Sequence, residues 1–421
     1  MAVPANILQQ VQTYQLSALA FLQNLNCFVS TANTKFKDFE KLIANLGDTV
    51  GFDLPPRMTT TSSLVANFQP ADQRVHTLVC NNPVSTSYVF TAQQFIFNVE
   101  EYMERFGAAA TREIGAKIEA NIAMNAVTNT YRFFGDGVNP INSFTQLAQG
   151  LALFRNFGSV LSQTAKGYLS DIAVPQIVGS GLNQFAPDRN NDTAMSWMLG
   201  KFSNCDWYQS NLLPIHIAGT EGQNATTLTV VSFTTNGPQG SIDTITFSGT
   251  HAASDPLSVA QYDKFQFNDG VVVGGLPLPN MRFRTCIGHE VSASPVQFQA
   301  TVAAASTAGS DVTVTVHPPL QALPTNNQNL NVQIQAGMTV SVLPSHRAGL
   351  ITSGDPLFIA MPKLPDQSPF YTGNEYDEDT GVSIRMTYGT LFGQNQMGMV
   401  HDAIWGSTLV DEYAIAIIFP L

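Results

Sequence analysis

Residues 91–129 read TAQQFIFNVEEYMERFGAAATREIGAKIEANIAMNAVTN. Met103, Phe106, Ala110, Ile114, Ile118 and Ile122 recur every three or four residues. That spacing predicts one long amphipathic helix with these side chains along a single face. Glu100, Glu101 and Glu104 fall in its early turns, where a helix N-terminus favours negative charge. Thr91 or Asn98 is placed to cap it. At 1.5 Å per residue such a helix spans roughly 50 Å, more than a small domain is wide, so much of the chain is expected to lean on it. Gly107 and Gly115 interrupt it, each at a cost of about 1 kcal/mol relative to alanine. They read either as hinge points of a helix that bends or as places where another backbone packs closely.

Upstream of this helix the pattern is extended. Thr49 to Leu54 and Arg74 to Val79 alternate like strands. Between them lie Pro55-Pro56-Arg57, a Thr/Ser run from Thr59 to Ser63, and Gln69-Pro70. The prediction is a long two-stranded hairpin with an irregular tip, which is unstable alone and needs a surface to lie on. Residues 1–45 read as an N-terminal arm. Ile7, Leu8, Val11, Leu16, Leu19 and Leu22 suggest an amphipathic helix in it, docked either on the chain's own core or on a neighbour.

Downstream, a turn at Gly135-Asp136-Gly137 leads to a second helical stretch near Ser143 to Phe157. A strand follows at Tyr168 to Ile172, a short helix or turn at Val174 to Leu182, and an extended segment at Trp207 to Ile217. From residue 219 to residue 337 charges are sparse and short alternating runs are separated by turn signals such as Asn236-Gly237-Pro238 and Asn268-Asp269-Gly270. This predicts an all-β module, a small barrel. Strand-forming sequence resumes at Thr339 to Leu343, and Val382 to Tyr388 and Tyr413 to Phe419 alternate, so the barrel is expected to be inserted into a domain that continues after it.

Of the 421 residues only 12% are charged, against about 25% in a typical soluble domain. Low charge with ordinary apolar content fits a surface covered by partners, and equally a β-rich protein with uncharged polar loops. The net charge of −12 argues against a dedicated nucleic-acid binder. Cys27, Cys80, Cys205 and Cys286 are scattered and read as reduced thiols of a chain made in a cytosol. No charged n-region of a signal peptide precedes Lys35, and the apolar run from Ala18 to Leu22 is too short to span a membrane.

No constellation for catalysis, metal or cofactor emerges. Glu375, Asp377, Glu378 and Asp379 form an acidic cluster without the calcium-loop pattern, and a solvated loop is the expectation. Cys286 and His289 have ligand-like spacing but lack a second pair. His216, His346 and His401 have no acid or cysteine set at catalytic spacing, and no nucleophile elbow, phosphate loop or dinucleotide fingerprint occurs. Lys264, Arg282 and Arg284 are the few basic residues on the barrel strands.

The order of parts, from arm through hairpin, long helix, mixed domain and β module back to the mixed domain, resembles the major capsid proteins of tailed bacteriophages, the Hong Kong 97 type. It is similar in particular to coat proteins of short-tailed phages with an inserted barrel. The residues that carry the likeness are Gly47-Asp48-Thr49-Val50 and Pro55-Pro56-Arg57 at the hairpin, then Lys166-Gly167-Tyr168-Leu169-Ser170 and Trp207 through Leu213-Pro214 in the mixed domain. Tyr262-Asp263-Lys264-Phe265-Gln266-Phe267 matches the barrel entry. Ala403-Ile404-Trp405-Gly406 followed by Glu412-Tyr413-Ala414-Ile415-Ala416-Ile417 resembles the family's closing helix and strand.

The resemblance implies an α+β shell subunit without enzymatic activity or cofactor. Its expected parts are an arm at 1–45, an extended loop with peripheral strands at 46–90, and a spine helix at 91–140. An axial domain at 141–218 and an inserted barrel at 219–337 follow, with the second axial part and closing peripheral strand at 338–421. The hairpin is expected to lie over a neighbouring subunit through Arg57, Val65, Phe68 and Arg74, and the spine to hinge at Gly107 and Gly115. The implied setting is a virion capsid of hexamers and pentamers, assembled in the host bacterial cytoplasm around double-stranded DNA without sequence-specific contact or membrane. The expected partners are a portal protein at one vertex and a scaffolding protein, with a cement or decoration protein as a further candidate. Because the sequence starts at Met1, the scaffold is expected to be a separate chain, and with no charge before Lys35 it is not expected to dock on a charged arm. Some relatives join subunits through a lysine in the extended loop; no lysine lies between Lys41 and Lys117, so locking is expected to be noncovalent. An encapsulin-type compartment shell is the alternative within the fold, and a β-rich tail or adhesin component the alternative outside it.

Overall fold

The computed structural model describes residues 27–33, 49–60, 68, 73–156, 165–181, 200–224, 226–248, 256–285, 288–307, 310–367, 370–377, 382–390 and 396–421. The expected arm helix from Ile7 to Leu22, the Gly47-Asp48 pair, Val65, Cys286, Glu378 and Asp379 lie outside these residues. The chain forms two compact units: Met1–Asp53, Val75–Ala126 and Asp355–Leu409 make the first, and Leu54–Arg74, Val127–Gly354 and Val410–Leu421 the second.

In the first unit the long helix runs from Ala92 to Thr128, within one residue of its predicted ends at both termini. Its 37 residues extend about 55 Å. Ala110, Ile114, Ile118 and Ile122 are buried as their spacing predicts, and Ala123 and Ala126 join them. Phe106 is a correction: its side chain is 42% exposed. The helix follows without a break from the strand Asn82–Thr91. That strand pairs antiparallel with Gln396–Leu409 over ten residues, from Asn82 opposite Trp405 to Thr91 opposite Gln396. Leu357–Ala360 and Val382–Thr390 also pair with the same long strand, and Tyr371–Asp377 pairs with Val382–Thr390.

Ala403 to Gly406, expected to resemble a closing helix, lies inside this long strand. The reason is period two: Met399, His401, Ala403 and Trp405 are buried while Val400, Asp402 and Ile404 are half-buried, which suits a pleated strand and not a helical stripe. Gly406 lets backbones meet, because a Cβ there would sit 2.3 Å from the Val79 carbonyl oxygen. The hairpin strands Thr49–Leu54 and Arg74–Val79 form with the predicted bounds. Val50 and Leu78 pack on Ala360, with Phe52 and Phe358 beside them.

Helix α1 (Cys27–Thr31) docks on the long helix, here α2, through a buried carboxylate. Glu119 accepts hydrogen bonds from the backbone N–H of Phe28 at 2.8 Å and Val29 at 3.3 Å. Burial pushes its carboxyl above the usual range, and the backbone donors at Phe28, Val29 and Cys27 pull the other way. Phe28 is fully buried, and Asn33 bridges to the edge strand at Phe358.

The second unit contains a mixed seven-stranded sheet and a closed barrel. In the sheet, Ala414–Pro420 pairs antiparallel with His346–Ser353 over seven residues, and Ala165–Ser170 pairs parallel with Cys205–Ser210. Helices α3 (Phe144–Asn156) and α4 (Ala173–Gly181) cover one face, where Leu147, Leu151, Ile177, Ile415, Ile417 and Phe419 form one core. Ala416 and Ile418 point into a second cluster with Val127, Phe133, Leu343 and Ala348. Alternation on one strand thus feeds two apolar layers, which explains its unbroken hydrophobic run. The Gly135–Gly137 turn forms as predicted: Asp136 accepts from the N–H of Val138 and Asn139.

The barrel takes Ile242–Ser248, Val312–Leu320, Gln297–Ala300, Lys264–Phe267, Thr339–Val342 and Thr227–Thr234 in that closed order. Its interior is filled by side chains, as a small barrel requires. The Phe265 and Phe298 rings stack at 5.0 Å and Phe247 lies parallel to both. The expected boundary at residue 337 falls inside this barrel. Thr339–Val342 bridges Lys264–Phe267 and Thr227–Thr234, so without it two edges stay open. The expected run from Lys264 to Val273 divides at the Asn268-Asp269-Gly270 turn into a barrel strand and a short hairpin, Val272–Val273 with Leu276–Pro277. The strands before and after the barrel in sequence, Ile215–His216 and His346–Ser353, pair with each other in the seven-stranded sheet. Of the stretch from 338 to about 400 expected in the axial part, residues from 355 onward join the unit of the long helix, as part of Asp355–Leu409.

Candidate interaction surfaces and the barrel junction

Two of the residues expected to contact a neighbour converge on one carboxylate of their own chain. Arg57 Nη2 donates to Glu412 Oε1 at 2.5 Å. Arg74 donates from Nη2 to the same oxygen and from Nη1 to Oε2 at 3.3 Å. Glu412 sits in a single turn, Asp411–Tyr413, just before the closing strand, and its side chain is 12% exposed. Arg132 fixes the backbone of that turn, donating from Nη2 to the carbonyls of Glu412 at 2.6 Å and Ala414 at 3.0 Å. Asp411 accepts from His317 Nε2 at 2.8 Å. Glu412 carried no signal as a binding residue in the sequence, because its partners are 355 and 338 positions away. Phe68 is 95% exposed, a large apolar group held in water.

Both expected hinge glycines lie inside α2, and Gly115 is buried. A methyl group at Gly107 would meet the Tyr88 hydroxyl at 3.9 Å, an ordinary contact. Thr111, which the apolar pattern did not single out, donates its hydroxyl to the Gly107 carbonyl at 2.8 Å. A side chain that shares the helix's own acceptor in this way favours bending at that turn.

Within the second unit, barrel side chains hold residues 128–133 by buried polar contacts. Gln299 Nε2 donates to the Thr128 carbonyl at 2.9 Å. Gln297 accepts from the Phe133 N–H and donates to the Phe133 carbonyl, both at 2.9 Å. Lys264 Nζ donates to the Thr130 carbonyl and to Gln299 Oε1 at 3.3 Å. An ammonium group is favoured beside the carbonyls at a helix C-terminus. With only 2% of the residue exposed, burial still pulls the Lys264 amine down to about 7. Next to it Asp263, fully buried, accepts from the N–H of Gly219 and Ala260 and from His216 Nε2. His346 Nδ1 donates to the Pro344 carbonyl, and burial holds its imidazole neutral, down to about 3. These groups cap and pin; their hydrogen bonds run to backbone and to each other.

The barrel unit also contains a cavity of about 280 Å³, walled by Tyr131, Pro238, Pro318 and Pro319 and by polar residues that include Ser241, Arg284 and His289. Among the described residues no three His, Cys, Asp or Glu side chains converge as metal ligands, and no helix is long and apolar enough to cross a membrane. Glu375 and Asp377 of the acidic cluster lie on the strand Tyr371–Asp377.

No protein-family model and no curated protein matches the chain. Among solved structures it is similar to a chain from Mycobacterium phage Che8, with 8% identity over 93% of this chain and 90% of that one, at a TM-score of 0.47. It is similar to a chain of the capsid of Ralstonia phage GP4, with 7% identity over 93% and 87% and a TM-score of 0.43. It is also similar to a chain of a virus-like particle from Pyrococcus furiosus, with 4% identity over 96% and 98% and a TM-score of 0.39.

Proposed function

We propose that this chain is the major capsid protein of a tailed bacteriophage, a non-enzymatic tile that assembles as hexamers and pentamers into an icosahedral head around double-stranded DNA. The observation that carries the reading is the architecture built around α2. A 37-residue helix leaves a ten-residue strand that pairs with a fourteen-residue return strand. The chain then makes a mixed sheet whose paired strands flank a closed barrel in sequence. This is the order of parts on which the sequence resemblance rests. In this reading the first unit is the peripheral domain with α2 as spine, the sheet of the second unit is the axial domain, and the barrel is an insertion into it. The hairpin carrying Arg57, Phe68 and Arg74 is the extended loop that reaches a neighbour, and Phe68 supplies the apolar anchor. A net charge of −12 suits a container that leaves packaged DNA free of tight phosphate contacts. A separate scaffolding protein, a portal and assembly in the host cytoplasm complete the proposal.

The test is co-expression with the candidate scaffold, followed by electron microscopy and nucleic-acid analysis of the particles. Closed shells with five- and six-fold capsomers, filled with DNA in the virion, are the expected result. A compact monomer at every concentration overturns the shell, and particles enclosing a protein cargo instead of DNA move the reading to a compartment shell.

A further inference from the structure

We propose that the cavity in the barrel unit binds a small tetrahedral oxyanion of the phosphate class, with Arg284, His289 and Ser241 as its recognition groups. Most polar side chains in the cavity wall are already engaged. Gln321 Nε2 donates to the Gln239 carbonyl at 3.1 Å, and Gln328 Nε2 donates to Ala322 at 2.9 Å. Asn329 donates to Pro319 at 2.9 Å and accepts from the Gln321 N–H at 2.7 Å. Leaving aside Arg57, which Glu412 holds, three residues differ. Arg284 Nε, both ring nitrogens of His289 and Ser241 Oγ are buried and have no hydrogen-bond partner among the described residues. Buried polar groups are rarely left so, and each of these residues is able to donate a hydrogen bond.

Backbone geometry holds the three in place. Arg284 ends the strand Arg282–Arg284, its own N–H bonded to the Asn329 carbonyl at 2.8 Å. Its Nη1 donates to the His289 carbonyl at 2.5 Å. His289 adopts a left-handed φ of 51°, uncommon for a residue with a side chain. Ser241 is 3% exposed and bonded through its own N–H to the Pro238 carbonyl.

Charge decides the sign of the ligand. The acids in the wall, Asp411 and Glu412, are engaged by His317 and by Arg57 with Arg74. Within the wall Arg57 and Arg284 equal those two carboxylates in number, Arg74 adds a second guanidinium to Glu412 from outside the wall, and Arg284 has no carboxylate partner of its own among the described residues. Size decides its class. About 280 Å³ falls just below the range of drug-sized pockets, about 300 to 1,000 Å³. That admits an oxyanion with a few waters. A guanidinium that meets a tetrahedral oxyanion through two parallel N–H groups is a strong and geometrically specific contact.

The test is titration of the intact, folded chain with inorganic phosphate at constant ionic strength, read by calorimetry and by phosphorus NMR. Saturable binding is expected, competed by sulfate and not by chloride. Arg284→Gln is expected to weaken it about tenfold or more, and Ser241→Ala several-fold. Ser241→Ala, a change smaller than the cavity it borders, keeps the test decisive if Arg284→Gln fails to fold. No saturable binding to the unaltered chain, or affinity unchanged in the folded variants, overturns the proposal.

Discussion

Replacing Glu412 by glutamine tests what holds the hairpin tip. The carboxylate is 12% exposed and the two arginines on it 19% and 23%, so the cluster lies between an exposed pair and a buried one. Exposed pairs contribute up to about 1 kcal/mol, and breaking a buried pair costs about 3–5 kcal/mol. Glutamine keeps one oxygen for one arginine but turns an amide N–H₂ toward the other, leaving two guanidinium groups without a counter-charge. The expected loss is therefore about 2–3 kcal/mol, intermediate between those limits. Denaturant midpoints measure it, and a double-mutant cycle with Arg57→Gln and Arg74→Gln apportions it between the two pairs. Protease cleavage between residues 58 and 73 is expected to quicken by one to two orders of magnitude if local opening governs it. A change below about 0.5 kcal/mol, the range of ordinary surface substitutions, together with an unchanged cleavage rate, would show that the tip is held by something other than this cluster.

Lys264 predicts a pH dependence of stability. Its folded-state amine is pulled down from 10.5 to about 7, so between those values the unfolded chain binds the extra proton and stability rises with pH, by at most about 1.4 kcal/mol per unit. Lys264→Met is expected to flatten that rise in denaturation series from pH 7 to about 10, and an equal slope in both chains refutes the assignment. Gly107→Ala is expected to stiffen α2 by about 1 kcal/mol and, in the proposed shell, to raise the temperature of expansion; no change there or in Gly115→Ala removes the hinge reading. Phe68→Ser is expected to leave the denaturation midpoint of the subunit unchanged while impairing assembly, measured by sedimentation. Denaturing electrophoresis of mature particles is expected to show single subunits, since no lysine lies between Lys41 and Lys117; a ladder refutes noncovalent locking.

The hairpin strands that carry the candidate interaction surface were legible, because alternation is local. Arg57, Val65, Phe68 and Arg74 were expected at a subunit contact only through the resemblance, and Phe68 is exposed to solvent. The recognition groups of the cavity were not legible in the same way. Arg284 appeared only as one of few basic residues, His289 only as half of an incomplete metal pair, and Ser241 not at all. The cavity wall gathers residues from 57 to 412, so no local window contains it.

By itself the sequence determined several of the elements that a local period encodes. The helix Ala92–Thr128 and the strands Thr49–Leu54 and Arg74–Val79 formed within a residue of their expected ends, because apolar spacing of 3.6 or 2 acts within one element. Only the tertiary structure decided that Thr339–Val342 closes the barrel, that Trp405 lies on a strand, and that Arg57 and Arg74 share Glu412. It alone placed Lys264 beside a carbonyl 134 residues away. Those outcomes depend on which distant surfaces meet and on which polar groups lose water when they do, and neither quantity is written in the neighbourhood of any one residue.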